Sequence, residues 1–498
     1  MKLLMIIAAI CVAAGGANAM APDVIVVMAG DSIQDAIDIA DPGDTIEVRK
    51  GIYVENLYID VFGLTLRGKG AIIDGAYENP CVSVDADEVT VEGFRLINGT
   101  AGVYACDLKS DLVDPREVPI KPMHAHGLKV LDNEIYAAIP LGGILIHGYD
   151  ARIEDNVIIG AAGYGIYYRL WGKGPPEVPT SRTFIMKNLV RHTKFAPLIA
   201  GDWDQPDLLP AGNGIDAAGG RLDIVGNHSE GSEFAGITVR VLGDPDDGFE
   251  GAHFTRVTGN VAHYNGAENT MACFQDEPSL DPYYMNEDGI WIEDRYGLGT
   301  LVQKNVTNKN GDDGIDLIGY SFDVIGNKAS WNNDDGIEGE VSDSLFNKNV
   351  TSFNFDDGLV GRSYEDEADG SPPVDGNRIT NNSSFNNSDE GIQFGGSYNY
   401  IYKNKATGNI QNGILVLWGS YVTIEANQAD KNGHQGISNS GWMTDIMFNK
   451  AKRNGFNLGP DISGQGDGGG LVDVWVGNQL DTGGEFAQDR CVDPMYDG

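Results

Sequence analysis

An asparagine repeat with a period of about 22 residues constrains the fold of this chain more than any other feature of its sequence. The first asparagine of the repeat recurs at intervals of 22 or 23 residues, with one interval of 33. These asparagines are Asn305, Asn327, Asn349, Asn382, Asn404, Asn427 and Asn449. A second asparagine stands five positions after each of them, and Gly followed by Ile or Leu stands nine positions after the first six. A repeat this short is too small for a propeller blade and favours one turn of a solenoid.

The chemistry of the repeat favours a parallel β-helix among the solenoids. Short β-prone runs lie between Gly and Asn turns, and the Leu signature of a leucine-rich repeat is absent. Asn at a fixed position tolerates left-handed turn geometry and can hydrogen-bond to its copies in the coils above and below. Coils would stack at about 4.8 Å, with right-handed connections. We therefore predict an all-β fold, a single right-handed parallel β-helix with coils of about 22 residues.

Both ends of the chain are predicted to differ from the regular coils. Lys2, the apolar stretch 3–14 and the small residues around Ala19 are typical of a signal peptide, which predicts a protein secreted to the periplasm or the exterior. No other stretch approaches the apolar length that spans a membrane. Residues 30–40 fit a short amphipathic helix that caps the open end of the β-helix. The predicted segments are a signal peptide (1–19), the cap and first coils (20–125), the main β-helix with an active-site groove (126–480) and a C-terminal tail (481–498).

The chain is strongly acidic, with 73 Asp and Glu against 34 Lys and Arg and a formal net charge of −39. This charge would repel a nucleic-acid backbone or an anionic membrane surface, so neither is predicted as a partner. A polyanionic substrate would need bridging cations or a local cluster of arginines. The chain is expected to act as a monomer.

Insertions in the repeat indicate where binding takes place. They occur at about 171–182, 196–212, 242–251, 267–286 and 363–374. Because they flank the Gly-Ile strands, they are predicted to wall one sheet and form a groove. Strand alternation places charged and aromatic side chains on the outer face of that sheet. The predicted substrate-binding residues are Arg169, Arg240, Trp291, Tyr167 and Glu338. Aromatic rings stack on sugars and arginine pairs with uronate carboxylates, so an acidic polysaccharide is the predicted partner.

Paired acids precede the Gly on five coils. The pairs are Glu287-Asp288, Asp312-Asp313, Asp334-Asp335, Asp356-Asp357 and Asp389-Glu390. Like charges stacked at about 4.8 Å repel one another, and partial burial strengthens the repulsion several-fold. Asp-Gly turn chemistry explains one acid per coil but not two. Hard divalent cations would remove the repulsion, and the sequence therefore predicts Ca²⁺ as cofactor.

The run Asp312-Asp313-Gly314-Ile315-Asp316, with Asp288 one coil earlier, resembles the calcium site of the family 9 pectate lyases. These enzymes belong to the parallel β-helix polysaccharide lyases, which are related to the uronan C5-epimerases. The resemblance implies a catalytic Ca²⁺ held by Asp288, Asp312, Asp313 and Asp316, and β-elimination by a basic residue. The family uses a lysine, but Lys348 adjoins a ladder Asn and is out of phase with the groove. Arg362 has the right phase, so it is the first candidate base and Lys348 the second.

The predicted function is a secreted, calcium-dependent lyase that cleaves an acidic, uronate-containing polysaccharide by β-elimination. A C5-epimerase would share the fold, the Ca²⁺ and the proton abstraction, although the Asp-Pro-His signature of alginate epimerases is absent. A glycoside hydrolase would use clustered Asp residues as acid and base. A non-catalytic surface protein that binds glycans is the remaining alternative, and it would not need a walled groove.

Overall fold

The computed structural model describes the chain from residue 22 to residue 480 with gaps. The described residues are 22–106, 125–136, 141–170, 182–194, 212–241, 255–266, 287–295, 297, 299–362, 373–455, 462–464, 474–476 and 478–480. The predicted signal peptide, nearly all of the five insertions and the C-terminal tail lie outside these residues. Within them, no helix is long and apolar enough to cross a membrane.

The chain winds into coils that each contribute a strand to three parallel columns. One coil contains Leu301–Gln303 in the first column, Val306–Asn308 in the second and Ile315–Tyr320 in the third. Each strand pairs in parallel with its equivalent one coil further on. The first two columns are joined into one sheet through the long strands Thr45–Val54 and Thr65–Asp74, which run through both. The predicted fold, a right-handed parallel β-helix, is confirmed.

The strands of the first column, including the two long ones, are Val24–Val27, Thr45–Val54, Thr65–Asp74, Thr90–Glu92, Lys129–Leu131, Arg152–Glu154, Thr183–Met186, Leu222–Val225, Arg256–Thr258, Leu301–Gln303, Asp323–Ile325, Leu345–Asn347, Arg378–Thr380, Tyr400–Tyr402, Thr423–Glu425, Asp445–Met447 and Val474–Val476. Those of the second column are Arg95–Ile97, Glu134–Tyr136, Val157–Ile159, Leu189–Arg191, His228–Glu230, Val261–His263, Val306–Asn308, Lys328–Ser330, Val350–Ser352, Ser383–Phe385, Lys405–Thr407, Gln428–Asp430, Lys450–Lys452 and Gln479–Leu480. Those of the third are Leu57–Ile59, Val82–Val84, Ala101–Ala105, Gly142–His147, Tyr164–Arg169, Ile215–Gly219, Ile237–Val241, Ile290–Asp294, Ile315–Tyr320, Ile337–Ser342, Leu359–Gly361, Ile392–Phe394, Ile414–Val416, Ile437–Asn439 and Ile462–Gly464.

Stacked aliphatic side chains fill the interior of the β-helix. The Ile or Leu that follows the repeat Gly points inward in every described coil of the central region and is fully buried. These residues are Ile215, Ile237, Ile290, Ile315, Ile337, Leu359, Ile392, Ile414 and Ile437. Because the side chains of a strand alternate between its two faces, the residue after each of them lies on the outer face of the third column.

A ladder of buried asparagines lines the turn between the first and second columns. The Asn327 amide nitrogen donates to Asn349 Oδ1 at 3.0 Å and to the Val302 carbonyl at 2.9 Å. The Asn327 side-chain oxygen accepts the backbone N–H and the side-chain amide of Asn305, at 2.9 and 3.0 Å. Every polar atom of the amide is therefore paired without water. A second ladder, from Asn265 through Asn454, lines the next turn.

A short helix, Ile33–Asp38, caps the N-terminal end of the β-helix. Ser32 is its N-cap, and the Ser32 hydroxyl accepts the Asp35 backbone N–H at 3.1 Å. The buried residues on its inner side are Ile33, Ala36 and Ile37. Their i, i+3, i+4 spacing is the pattern that predicts this helix from the sequence.

The side chain of Gln34 completes the edge of the third column. The Gln34 side-chain oxygen accepts the Tyr58 backbone N–H at 2.9 Å, and its nitrogen donates to the Tyr58 carbonyl at 3.1 Å. Tyr58 lies in Leu57–Ile59, the first strand of this column. The Gln34 amide thus makes the two hydrogen bonds that a neighbouring strand would otherwise make.

Replacement of Asn327 by Ala should lower the free energy of unfolding by about 2–3 kcal/mol, because buried donors and acceptors of Asn305, Asn349 and Val302 lose their partner. The matched control is Lys328→Ala at the exposed neighbouring position, which should change the free energy of unfolding by less than about 0.5 kcal/mol. Urea unfolding followed by circular dichroism measures both. Equal midpoints for the two variants would show that the ladder does not stabilise the fold.

Candidate active site

Strand register brings the predicted substrate-binding residues into two rows on the outer face of the third column. The first row contains Tyr167, Asp216, Thr238, Trp291, Asp316, Glu338, Val360 and Gln393. The second row contains Arg169, Ala218, Arg240, Glu293, Ile318 and Glu340. Equivalent positions recur on successive coils, so each row runs along the rod axis at the strand spacing of about 4.8 Å. All five residues predicted to bind substrate lie in these rows.

Arginines and aromatic rings contact one another in the N-terminal half of these rows. Arg169 Nη1 lies 2.8 Å from Asp216 Oδ1, and the Arg169 guanidinium lies 4.2 Å from the centre of the Tyr167 ring. Arg240 lies 5.9 Å from the centre of the Trp291 ring. Asp216 is fully buried and Arg169 is 14% exposed. Arg169 is therefore held in place by an ion pair and by a ring beneath it.

The second acid of each pair forms a ladder of its own. These acids are Asp288, Asp313, Asp335, Asp357 and Glu390, and all are buried. Asp288 Oδ1 accepts the backbone N–H of Asp313 at 3.1 Å, and Asp313 Oδ1 accepts that of Asp335 at 2.7 Å. The pattern continues from Asp335 to Asp357 at 2.6 Å and from Asp357 to Glu390 at 2.8 Å. One oxygen of each Asp is thus used to hold the next coil.

This acidic ladder differs from the asparagine ladders because a carboxylate donates no hydrogen bond. The charge of the second oxygen can be compensated by a hydrogen-bond donor outside the ladder, a proton, a guanidinium or a cation. Burial, followed by repulsion from neighbouring carboxylates, raises the pKa of Asp288, Asp313, Asp335 and Asp357 well above the ordinary value. The folded chain therefore holds these groups in a position where their negative charge is not compensated by the ladder itself.

The ladder continues beyond the acidic coils with amides at the same position. Asn412 Nδ2 donates to Glu390 Oε1 at 2.8 Å, and Asn412 Oδ1 accepts the backbone N–H of Gln435 at 3.0 Å. Asn412 therefore holds the next coil as the aspartates do. An amide is therefore sufficient for the hydrogen bond that this ladder position makes to the next coil.

The first acid of each pair lies beside the ladder and is less buried. Burial, followed by repulsion from Asp334, raises the pKa of Asp312 to about 6. Burial, followed by the neighbouring Glu390, raises the pKa of Asp389 to about 6. The two columns of acids together form a strip of carboxylates along the edge of the outer face.

Oxygen atoms of three carboxylates approach within 4.8 Å of one another at four places in this strip. The groups are Asp312 with Asp313 and Asp334, Asp313 with Asp335 and Glu338, Asp334 with Asp335 and Asp356, and Asp356 with Asp357 and Asp389. No such group in the described part of the chain includes Asp288 or Asp316. Of the four ligands that the sequence resemblance implies, the structure therefore brings Asp312 and Asp313 together with residues of the following coil.

Asp288 and Asp316 nevertheless interact electrostatically with the neighbouring carboxylates. Burial and then Asp316 raise the pKa of Asp288, while burial and then Glu338 raise that of Asp316. The sequence did not single out Asp334 and Asp335 as ligands. The available signal was their phase, which is identical to that of Asp312 and Asp313 one repeat earlier.

Arg362 contacts the strip, whereas Lys348 does not lie on this face. Arg362 Nη2 lies 3.1 Å from Asp335 Oδ2, and Arg362 Nε lies 2.9 Å from Glu338 Oε1. Lys348 is exposed at the turn between Leu345–Asn347 and Val350–Ser352, in the first and second columns. The phase argument that favours Arg362 over Lys348 agrees with these positions.

The donor set of the strip fits a hard divalent cation. Every ligand atom in the four groups is a carboxylate oxygen, and Ca²⁺ takes several such ligands at flexible geometry. A cation would also compensate the charge that raises the pKa values along the strip. Arg362 pairs with Asp335 and Glu338, which belong to the other two groups, so neither Asp312, Asp313 and Asp334 nor Asp356, Asp357 and Asp389 includes a carboxylate paired with Arg362.

Comparison with known proteins yields structural similarity alone. No family model and no curated protein matches the chain. The A-module of the mannuronan C-5 epimerase AlgE4 from Azotobacter vinelandii is 14% identical, with a TM-score of 0.45 over 79% of this chain and 94% of that one. A mannuronic acid-specific family 6 polysaccharide lyase from human gut microbiota is 11% identical, with a TM-score of 0.42 over 80% and 87%. The Dettilon tailspike protein is 11% identical, with a TM-score of 0.38 over 91% and 68%. These values assign neither a family nor an activity.

Without divalent cations, the folded protein should lose stability as the pH rises. The pKa of Asp312 is 3.8 in the unfolded chain and about 6 in the folded one, so between these values only the folded chain binds the proton. The free energy of unfolding therefore falls as the pH rises through this window. Saturating Ca²⁺ should flatten the dependence, since it stabilises the ionised form. Thermal unfolding between about pH 4 and pH 7, with chelator and with Ca²⁺, measures the effect. Superimposable profiles would contradict it.

Proposed function

We propose that this protein is a secreted, cation-dependent lyase that cleaves an acidic polysaccharide by β-elimination. The observation that supports the proposal is the buried carboxylate strip beside Arg362, at one end of two rows of arginine and aromatic side chains. The ladder position of the second acids does not require a carboxylate, because Asn412 holds the same position as an amide. Secretion is proposed from residues 1–19, which lie outside the described part of the chain.

The two outer rows suit a long, negatively charged sugar chain. Successive positions along a row lie about 4.8 Å apart, close to the length of one sugar ring, so one polymer can contact several coils. Arg240 and Arg169 would pair with uronate carboxylates, and the Trp291 and Tyr167 rings would pack against sugar faces. A protein of net charge −39 binds such a polymer only where its own negative charge is locally compensated.

The cation would be held by Asp312, Asp313 and Asp334, with Asp288, Asp316, Asp335 and Glu338 around them. When bound, Ca²⁺ supplies Lewis-acid stabilisation of the negative charge that develops on the uronate carboxylate. In β-elimination, a base takes the proton from carbon 5 of the uronate and the C–H electrons form the double bond to carbon 4. The bond from carbon 4 to the glycosidic oxygen breaks, and that oxygen takes a proton.

Arg362 is the proposed base because, among the residues that the structure describes, it is a basic side chain that forms ion pairs with the strip. Its ion pairs with Asp335 and Glu338 orient the guanidinium but also stabilise its proton. Proton abstraction by Arg362 therefore requires that substrate binding weaken these two contacts. Lys348 remains the second candidate, although its turn lies away from the outer rows.

A glycoside hydrolase is the second candidate function, and the raised pKa of Asp312 supports it. With its pKa raised to about 6, the Asp312 carboxyl keeps a proton for part of the time near neutral pH and can act as a general acid. Nearby ionised carboxylates would then serve as base or nucleophile. Protonation and cation binding are thus two ways to compensate the same charge, and they correspond to different reactions.

The test is an assay of the purified chain on a panel of polyuronates, with Ca²⁺ and with chelator. A Ca²⁺-dependent rise in ultraviolet absorbance from the unsaturated product would establish the lyase. New reducing ends without that absorbance would establish a hydrolase, and altered uronate epimer content without chain cleavage an epimerase. Binding without any of these changes would leave a glycan-binding protein and reject the enzymatic proposal.

Asp313→Asn should separate the structural role of the ladder from its proposed cation role. The amide keeps an oxygen for the backbone N–H of Asp335 but removes one negative charge. We expect unchanged or higher stability in chelator, and cation affinity and elimination reduced by more than about tenfold. Asp323→Asn, at an exposed acid of the first column, is the control and should behave as wild type. Calorimetric Ca²⁺ titration and the absorbance assay measure both. Full activity with unaltered Ca²⁺ affinity would exclude Asp313 as a ligand.

Arg362→Ala should reduce elimination by about 10²–10⁴-fold, the usual contribution of a positioned base. Lys348→Ala, at an exposed position of a different column, should retain activity. Initial rates at saturating Ca²⁺ measure the effect, and circular dichroism verifies the fold of each variant. If Lys348→Ala loses turnover while Arg362→Ala keeps it, the two assignments are reversed.

A further inference from the structure

Two histidines and a glutamate meet on the second column, which does not take part in the candidate active site. His228 and Glu230 lie two positions apart on the strand His228–Glu230, so their side chains share its outer face. His263 ends the next strand, Val261–His263, and is the direct register partner of Glu230. The backbone of two adjacent coils therefore positions all three side chains.

The ring nitrogens of the histidines face each other. His228 Nε2 lies 2.8 Å from His263 Nε2, and each of these atoms lies 3.9 Å from an oxygen of Glu230. The side chains are 24–34% exposed, so the cluster is partly shielded but open to solvent. The ring nitrogens of histidine are the commonest metal ligands in proteins.

We propose that His228, Glu230 and His263 form a binding site for a borderline divalent metal ion such as Zn²⁺, separate from the carboxylate strip. Two imidazole nitrogens and one carboxylate oxygen are ligands that Zn²⁺ takes at bond lengths of about 2.0–2.2 Å. Tetrahedral geometry at these lengths places ligand atoms about 3.3 Å apart. The two nitrogens, 2.8 Å apart, must separate by about 0.5 Å, and a Glu230 oxygen must move closer to both of them. Rotamer adjustments of partly exposed side chains achieve both.

Arg191 supports this arrangement from the neighbouring coil. Arg191 Nε lies 2.8 Å from Glu230 Oε2, while Glu230 Oε1 is the atom that faces His263. An ion pair of this kind orients a ligating carboxylate. Its positive charge also opposes the ion, and we expect micromolar rather than tighter affinity.

The site differs in chemistry from the carboxylate strip. Imidazole ligands favour Zn²⁺, Cu²⁺ or Ni²⁺, whereas carboxylates alone favour Ca²⁺ or Mg²⁺. Glu230 also lines a cavity of about 590 Å³, together with His192, Lys194, Ser232 and Tyr264. A bound ion would therefore have one of its three ligands, Glu230, at the wall of this cavity.

The repeat itself supplies conservative variants for the test. The position of His228 is occupied by Leu189 and Val261 on the adjacent coils, and the position of His263 by Asn308 on the following coil. His228→Val and His263→Asn therefore copy residues that the β-helix already accepts there. Glu230→Gln keeps the shape of the third ligand, and His434→Ala, an exposed histidine on a later coil, is the control.

Zn²⁺ is titrated by calorimetry into the full chain saturated with Ca²⁺, and bound Zn²⁺ is counted after dialysis. We expect each ligand variant to lose one bound Zn²⁺ or to bind it at least about tenfold more weakly, while His434→Ala matches wild type. Circular dichroism verifies that the variants are folded. Absence of Zn²⁺ binding by wild type, or wild-type binding by the ligand variants, would overturn the proposal. Polysaccharide activity is not part of this measurement, so failure of the proposed lyase function would leave the result unaffected.

Discussion

Hydrogen bonding between successive coils fixes the distance between equivalent side chains at about 4.8 Å, and the rest of the structure depends on this spacing. Any residue placed in the repeat must be compatible with copies of itself on both sides. Asparagine meets the condition completely, since its amide donates to one copy and accepts from the other. Aspartate meets half of it, because its oxygen accepts the next backbone N–H but it has no proton to donate. The asparagine ladders therefore satisfy all of their own hydrogen bonds, whereas the acidic ladder leaves negative charge that must be compensated by other groups.

The acidic section of the ladder is limited to the coils from Asp288 to Glu390, and amides follow at Asn412 and Gln435. Substitution of Asn for Asp at these positions would keep the backbone contact and remove the repulsion. The presence of acids on five successive coils therefore imposes an energetic cost that the fold does not require. Such a cost is typical of a site that binds a positively charged partner or holds a proton for reaction.

The fold could be predicted from the sequence because the sequence repeats the same structural pattern in successive coils. Six copies of the repeat share the same turn, the same inward Ile or Leu and the same outward phase, so they agree where one copy would be ambiguous. The outer rows follow from strand alternation alone, and the capping helix from the spacing of Ile33, Ala36 and Ile37. These features depend on the backbone, which the repeat determines.

The exact groups of side chains could not be predicted in the same way. A side chain can turn toward the coil before it or the coil after it, and this choice decides which carboxylates lie close together. The sequence resemblance implies Asp288 as a partner of Asp312 and Asp313, whereas the structure places Asp334 beside them. The pairing of His228 with His263 was missed for another reason. These residues are separated by 35 positions, in coils where insertions obscure the 22-residue period.

The side chain of Gln34 affects how the end of this β-helix could pair with a strand of another copy of the chain. A parallel β-helix presents an edge of unpaired peptide groups wherever a column begins, and identical rods could join there end to end. By making both hydrogen bonds of Tyr58, Gln34 terminates the third column with an amide that has no strand behind it to extend. A single glutamine thus pairs the peptide groups of Tyr58, to which the edge of another strand would otherwise bind.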